Sequence, residues 1–288
     1  MQRARVIRII SNHYTVITEQ GDVFSTFASG KLRKGVSPMV GDWVDVLHGS
    51  DLSVIERVYP RSNKMIRPMV ANVDAILIVM STIKPEFSSL LVDRISWLVR
   101  QENIQPVLVV SKWDLLTDPQ TLNPILDEYR QVMPVFTVGK GMDNSALMGF
   151  LAGKICVLTG QSGVGKSSLI NRLDERYTIK TQEISKALGR GKHTTRHVEL
   201  LPIRQGWIAD TPGFSSLDFS HMTQEDLLAN VVEFEPYKDQ CRFRNCQHVN
   251  EPDCAIKKAV ADKKIPKDRY THYLEVRQII DDNKEIYL

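Results

Sequence analysis

Gly160-Gln161-Ser162-Gly163-Val164-Gly165-Lys166-Ser167 decides the reading of this chain. It fits G-x-x-x-x-G-K-[ST] in the context that motif requires, after a short apolar stretch (Lys154–Thr159) and before an apolar-periodic one (Lys166–Leu173). Glycines let backbone N–H groups wrap around phosphate oxygens, and the helix N-terminus adds partial positive charge. Lys166 is placed to reach β and γ phosphates, and the Ser167 hydroxyl to ligate Mg²⁺. Residues Gly160 to Ser168 are the candidate phosphate-binding loop.

Downstream, Asp210-Thr211-Pro212-Gly213 follows the strand-like Trp207–Ala209. Asp210 is a second candidate Mg²⁺ residue, and Gly213 a γ-phosphate contact. Upstream, Ser111-Lys112-Trp113-Asp114 follows the strand-like Pro106–Val110 and is similar to the guanine-reading N-K-x-D motif, with Ser111 in place of Asn. A carboxylate at Asp114 accepts from both guanine N1–H and the exocyclic amine, which adenine does not offer. The Lys112 stem packs along the base. Thr137–Lys140 is a candidate for the next base-contacting loop.

A guanine motif that precedes the phosphate loop reverses the usual order, and a circular permutation explains it. Between the phosphate-loop helix and the strand-like Val198–Leu201 lies Gly189-Arg190-Gly191-Lys192-His193-Thr194-Thr195. Its glycines and basic residues suit a switch loop ordered by nucleotide, with Thr194 or Thr195 closing on Mg²⁺. The residue after Gly213 is Phe214, which cannot orient the attacking water as a Gln does. His193 is the candidate for that task, since an imidazole accepts a proton near neutral pH.

Cys241-x4-Cys246-x-His248-x5-Cys254 supplies three thiolates and an imidazole, a closed Cys₃His set that suits one structural Zn²⁺. Cys156 stands apart and reads as a core residue.

Around these motifs the chain divides into residues 1–68, 69–220 and 221–288. The first part shows five short β-rich stretches, Arg5–Ile10, Tyr14–Thr18, Val23–Ala28, Trp43–Leu47 and Ser53–Val58, separated by turn residues. They predict a small closed barrel, an OB-fold or an SH3-like one. The second part alternates buried strands with helices and predicts a parallel sheet covered on both faces. The third reads as helices around the cysteines. The whole is multidomain: barrel, α/β P-loop GTPase, helical zinc-binding segment.

Of the 288 residues, 42% are hydrophobic and 25% charged, with a net charge of +3. The charge is too small to argue for nucleic acid by itself, although residues 1–68 and 257–269 are locally basic. No apolar run approaches the ~18 residues of a membrane span, and Met1–Ile10 lacks signal-peptide features. A cytoplasmic protein without membrane contacts is expected.

Taken in order, the barrel, S-K-W-D, G-Q-S-G-V-G-K-S, G-R-G-K-H-T-T, D-T-P-G and C-x4-C-x-H-x5-C resemble one family over the whole length: the circularly permuted GTPase RsgA (YjeQ, YloQ). The resemblance implies an OB-fold, GTP hydrolysis to GDP stimulated by the small (30S) ribosomal subunit, a role in late maturation of that subunit, and His193 as the catalytic histidine. Contacts with 16S-type rRNA through the flanking domains are implied as well. A basic barrel carrying Tyr14, Phe24, Phe27 and Trp43 suits RNA. A monomer is expected.

Overall fold

The computed structural model describes residues 1–33, 35–49, 52–65, 68–177, 198–210 and 218–286. Five strands open the chain: β1 (Gln2–Ile10), β2 (His13–Thr18), β3 (Val23–Ala28), β4 (Trp43–His48) and β5 (Ser53–Val58), with the four-residue helix α1 (Gly30–Arg33) after β3. Alternation along them turns Ala4, Val6, Val16, Val44, Val46 and Ile55 into one core, as a period of two requires. β1 pairs antiparallel with β2 and β4, β2 with β3, and β4 with β5, while β3 runs parallel to β5. The order β1-β2-β3-β5-β4, closed back on β1, is the Greek-key barrel of an OB-fold. The SH3-like alternative falls away.

The hairpin β6 (Lys64–Met65) and β7 (Val70–Ala71) leads into a second architecture. It runs β8 (Ala75–Ser81), α2 (Ser89–Gln101), β9 (Gln105–Ser111), α3 (Asn123–Arg130), β10 (Val135–Thr137), α4 (Ser145–Leu151), β11 (Ile155–Thr159), α5 (Lys166–Leu173), β12 (Glu199–Ile203) and β13 (Gly206–Asp210). Strands β10-β9-β8-β11-β13 are parallel. β8 is buried along its whole length. Its Ile76, Ile78 and Met80 enter one core, and Leu77 and Val79 a second core on the other face, the mark of a parallel strand covered twice.

The expectation of a parallel sheet fails at one strand. β12 runs antiparallel to β13, from Glu199↔Asp210 to Ile203↔Gly206. Only Arg204 and Gln205 join them, and two residues make a hairpin but not a parallel crossover. β12 also meets β1 at Arg8↔Glu199, so barrel and central sheet form one eleven-stranded array.

The C-terminal segment holds α6 (Gln224–Asn230), α7 (Ala255–Ala261) and α8 (Lys267–Ile286), with no strand among its described residues. Thr223 starts α6 with a capping box to Asp226. Phe234, Tyr273, Val276 and Ile280 build a core that takes in Trp97 from α2. Helix α2 therefore serves two cores, since Val92, Ile95 and Val99 face the sheet.

Between those cores lies buried charge. Asp93 of α2, 1% exposed, accepts from the Tyr129 hydroxyl at 2.8 Å and lies 2.6 Å from both Arg269 and His272 Nδ1 on α8. Arg269, 3% exposed, also lies 3.0 Å from Glu233, and its guanidinium stacks 4.2 Å from the Tyr129 ring centre. Burial pushes the Tyr129 hydroxyl and the Glu233 carboxyl above their ordinary pKa values.

Candidate nucleotide site and metal centre

The register brings the C-terminal ends of β8, β9, β11 and β13 to one edge of the sheet, with Ser81, Ser111, Thr159 and Asp210 closing them. Open α/β sheets bind ligands at that edge. The phosphate loop leaves β11 there and turns into α5. Gly160 has φ +137°, and a Cβ at this position would lie 2.2 Å from the Val79 carbonyl oxygen. Only glycine lets the loop cross so close to β8. Lys166 Nζ donates to Gly160 O at 2.6 Å and to Gln161 O at 2.8 Å, and burial lowers its pKa from the ordinary lysine value. Ser167 is buried beneath the loop, while Gln161, Ser162 and Gly163 are exposed and Ser168 half-buried.

The S-K-W-D loop is fastened to this loop from the side. Ser111, 3% exposed, has its hydroxyl within reach of two carbonyl oxygens, Met80 O at 3.1 Å and Val164 O of the phosphate loop. One hydroxyl proton serves one of them at a time. Lys112 takes a left-handed φ of 57°, and its ammonium donates to Ile83 O (3.0 Å) and Lys84 O (2.6 Å). Thr82 Oγ1 donates back to Lys112 O at 2.8 Å. Asp114 is exposed. Gly139 packs so tightly on it that a Cβ there would sit 2.6 Å from Asp114 Oδ1. The Thr137–Lys140 loop is thus the immediate neighbour of the S-K-W-D loop, and Trp113 N–H donates to Val138 O at 3.1 Å.

Two strands, two loops and one helix therefore bring Ser111, Lys112, Asp114 and Gly160 to Ser168 together. Asp210 ends β13, the neighbour of β11. His193, Thr194, Thr195 and Gly213 lie outside the described residues. A cavity of about 440 Å³ lined by Arg100, Gln105, Met133 and Asn230 lies at the opposite end of β9 and belongs to the junction with the C-terminal helices.

The Cys₃His set assembles as its spacing implies. The four ligand atoms lie within 4.8 Å of one another. With Zn–S about 2.3 Å and Zn–N about 2.0–2.1 Å, a tetrahedral ion holds sulfurs about 3.8 Å apart and nitrogen about 3.5 Å from sulfur. The observed separations are 3.9 Å for Cys241 Sγ to Cys254 Sγ, and 3.5 and 3.4 Å from His248 Nδ1 to those two sulfurs. The set fits zinc bound through Nδ1. Burial pushes the Cys246 thiol up to about 12, so a divalent cation is what would draw the protons off.

Several supports of this centre were not foreseen. Ala255 N–H donates to Cys241 Sγ at 3.3 Å, and the Tyr270 and Tyr273 hydroxyls donate to His248 O (2.6 Å) and Gln247 O (2.9 Å). The Glu251 carboxylate accepts from Gln247 N–H (2.7 Å) and Val249 N–H (2.9 Å). Burial alone would raise that carboxyl, but the backbone donors of Gln247, Glu251 itself and Val249, together with His248, outweigh it and hold it at about 2. The one readable signal was a Glu inside the Cys/His run.

Comparison with known proteins agrees with this geometry. The sequence model of the RsgA GTPase family matches residues 58–220. The chain is 41% identical to the small ribosomal subunit biogenesis GTPase RsgA 2 of Listeria innocua and 43% identical to RsgA of Geobacillus thermodenitrificans, with 100% of each chain covered in both cases. Among solved structures it is similar to YloQ, described as a circularly permuted GTPase, with a TM-score of 0.83 and 34% identity over 98% of this chain and 96% of that one. YjeQ of Thermotoga maritima gives a TM-score of 0.84 and 32% identity over 97% and 98%.

Proposed function

The chain belongs to the RsgA GTPase family, which makes it a GTP hydrolase, and from that premise we propose that it works on the small ribosomal subunit during late maturation, with its flanking parts on rRNA. The observation that carries the GTP reading is the brace between the two loops: Ser111 fastens the S-K-W-D loop to the phosphate loop, so Asp114 and Lys166 open on one edge. The partner rests on the curated relatives, which are named for small ribosomal subunit biogenesis. The division into residues 1–68, 69–220 and 221–288 is part of the same proposal.

In this reading the Gly160–Ser168 backbone holds the phosphates, and phosphate oxygens take the Lys166 ammonium over from Gly160 O and Gln161 O. Asp114 reads guanine, with Lys112 beside the base and Ser111 holding the loop in register. Ser167, Asp210 and Thr194 or Thr195 would hold Mg²⁺, which supplies charge for the phosphoryl oxygens when bound. His193 orients the attacking water, and Cys241, Cys246, His248 and Cys254 hold one structural zinc.

The test is GTP turnover by the pure chain with and without small ribosomal subunits. Stimulation of tenfold or more, absent with ATP and abolished in Lys166→Ala, is expected. Equal rates with and without subunits would sink the partner while leaving the GTPase.

A further inference from the structure

The barrel's aromatic rings are already engaged. Tyr14 is 8% exposed in the barrel core. The guanidiniums of Arg3 (4.6 Å) and Arg5 (4.4 Å) lie over the Trp43 ring, and those of Arg3 and Arg57 (5.0 Å each) over the Tyr59 ring. Phe24 packs on His48 and Phe27 on His13, with ring centres 5.0 and 4.7 Å apart. These rings are also buried or half-buried, which leaves little face for a nucleobase. Arg3 also pairs with Glu19 at 3.4 Å, and Asp45 accepts from the Tyr59 hydroxyl, so the barrel's charge is partly spent too.

One ring differs. Phe243 is 41% exposed, whereas every other described Phe, Tyr and Trp is buried or half-buried. A single exposed apolar residue is ordinary, but this one has a particular setting. It belongs to Arg242-Phe243-Arg244-Asn245, four exposed residues strung between the metal ligands Cys241 and Cys246. Cys246 N–H donates to Phe243 O at 3.2 Å, closing the tip. Both ends are tied to the Cys₃His cluster, so the tip is held in one shape. The Arg242 guanidinium lies 5.6 Å from the ring centre, near the ~6 Å limit of a cation–π contact. Asp253 holds that guanidinium at 3.0 Å, on one side of the ring. Arg244 is exposed and joins no ion pair among the described residues.

We propose that the Arg242–Asn245 tip is a contact for an unpaired RNA base, which stacks on the face of Phe243 away from Arg242 while Arg244 holds a flanking phosphate. An exposed aromatic face flanked in sequence by two arginines is complementary to a splayed-out nucleotide, and duplex RNA keeps its bases stacked out of reach. The tip and the barrel then divide the work: half-buried rings among arginines suit the backbone, an exposed ring suits a base. This assignment rests on the small-subunit reading above.

The experiment uses the full zinc-loaded chain and its Phe243→Ala and Phe243→Trp variants. Their affinities are measured for a fluorescein-labelled twelve-nucleotide single-stranded RNA of adenosine and cytidine, for a perfect RNA duplex of equal length, and for small ribosomal subunits. Zinc content and GTP turnover of the free chain, which the tip does not touch, report intact folding. Phe243→Ala should weaken single-strand binding tenfold or more, with Phe243→Trp within about twofold of the parent and duplex binding unmoved. Unchanged affinity in Phe243→Ala, equal loss in Phe243→Trp, or a parent chain that ignores the single strand each overturns the proposal. So does weaker subunit binding with unchanged RNA binding, which would put a protein at the tip. Failure of the parent chain to bind subunits refutes the small-subunit reading separately.

Discussion

The barrel meets the central sheet by backbone, through Arg8↔Glu199, and the β6–β7 hairpin through Val40↔Val70, whereas the C-terminal helices meet the sheet's α2 by buried charge, through Asp93, Arg269, Glu233 and His272. Backbone pairing is indifferent to which side chains the strands carry. Buried charge is the opposite: each member is tolerable only while the others are present. The two attachments therefore differ in how much one substitution can undo. The barrel is joined robustly, while the helical segment is joined in one geometry only.

The hardest blow to that contrast is Arg269→Met, which removes the one cation that Asp93 and Glu233 share and leaves Asp93 with His272 alone across the junction. A loss of about 3–5 kcal/mol is expected, as for other broken buried pairs, read as a lower urea midpoint of the zinc-loaded chain. A midpoint unchanged from the parent would show that apolar packing around Trp97 holds the helices by itself.

A middle-sized effect belongs to Glu251→Gln, which removes the charged acceptor inside the metal loop. Hydrogen bonds to a charged group at this half-exposed position are worth about 1 kcal/mol after solvent screening. The sign with pH follows from a folded value of about 2 against an ordinary 4.5. The carboxylate's contribution is complete above about pH 4.5 and fades as pH falls toward 2. The gap between parent and variant in urea titrations should thus be full at neutral pH and narrow in acid. A gap that stays constant into acid would remove the carboxylate from the account.

The smallest change sharpens the other side. Arg8 and Glu199 face each other at 3.9 Å with side chains 43% and 29% exposed, so Arg8→Ala should cost under about 1 kcal/mol. The strand pairing survives the substitution. A larger loss would mean that the barrel, too, hangs on side-chain charge.

What was legible in the sequence follows the same division. Elements that carry their own local signal were found. These include the alternating barrel strands, the apolar run of β8, the phosphate loop between β11 and α5, and the Cys/His spacing. Junctions were not, because they are written in two distant places. Asp93 and Arg269 are 176 residues apart in number, and neither is unusual alone. A carboxylate on the buried face of α2, one turn from Trp97, was the one clue, and it reads equally well as an exposed residue. The antiparallel β12 hid for another reason: Val198–Leu201 resembles any buried strand, and only the two-residue turn at Arg204-Gln205 reveals its direction. The site is similar. Glycines at 160 and 139 mark close approaches, but the spacing does not say that Ser111 reaches Val164.

The continuity of β1 with β12 settles how this protein handles its sheet borders. A parallel α/β sheet ordinarily ends in two open rows of N–H and C=O groups, each a template for another molecule's strand. Here one border is β10, three residues long and too brief to recruit a partner, and the other runs into a barrel that closes on itself through β1 and β4. The barrel is thus also a lid on the sheet's open flank. A chain cut free of its first sixty residues would lose the Arg8↔Glu199 pairing and leave β12 a border strand with nothing beyond it, and its weakness would be self-association rather than unfolding.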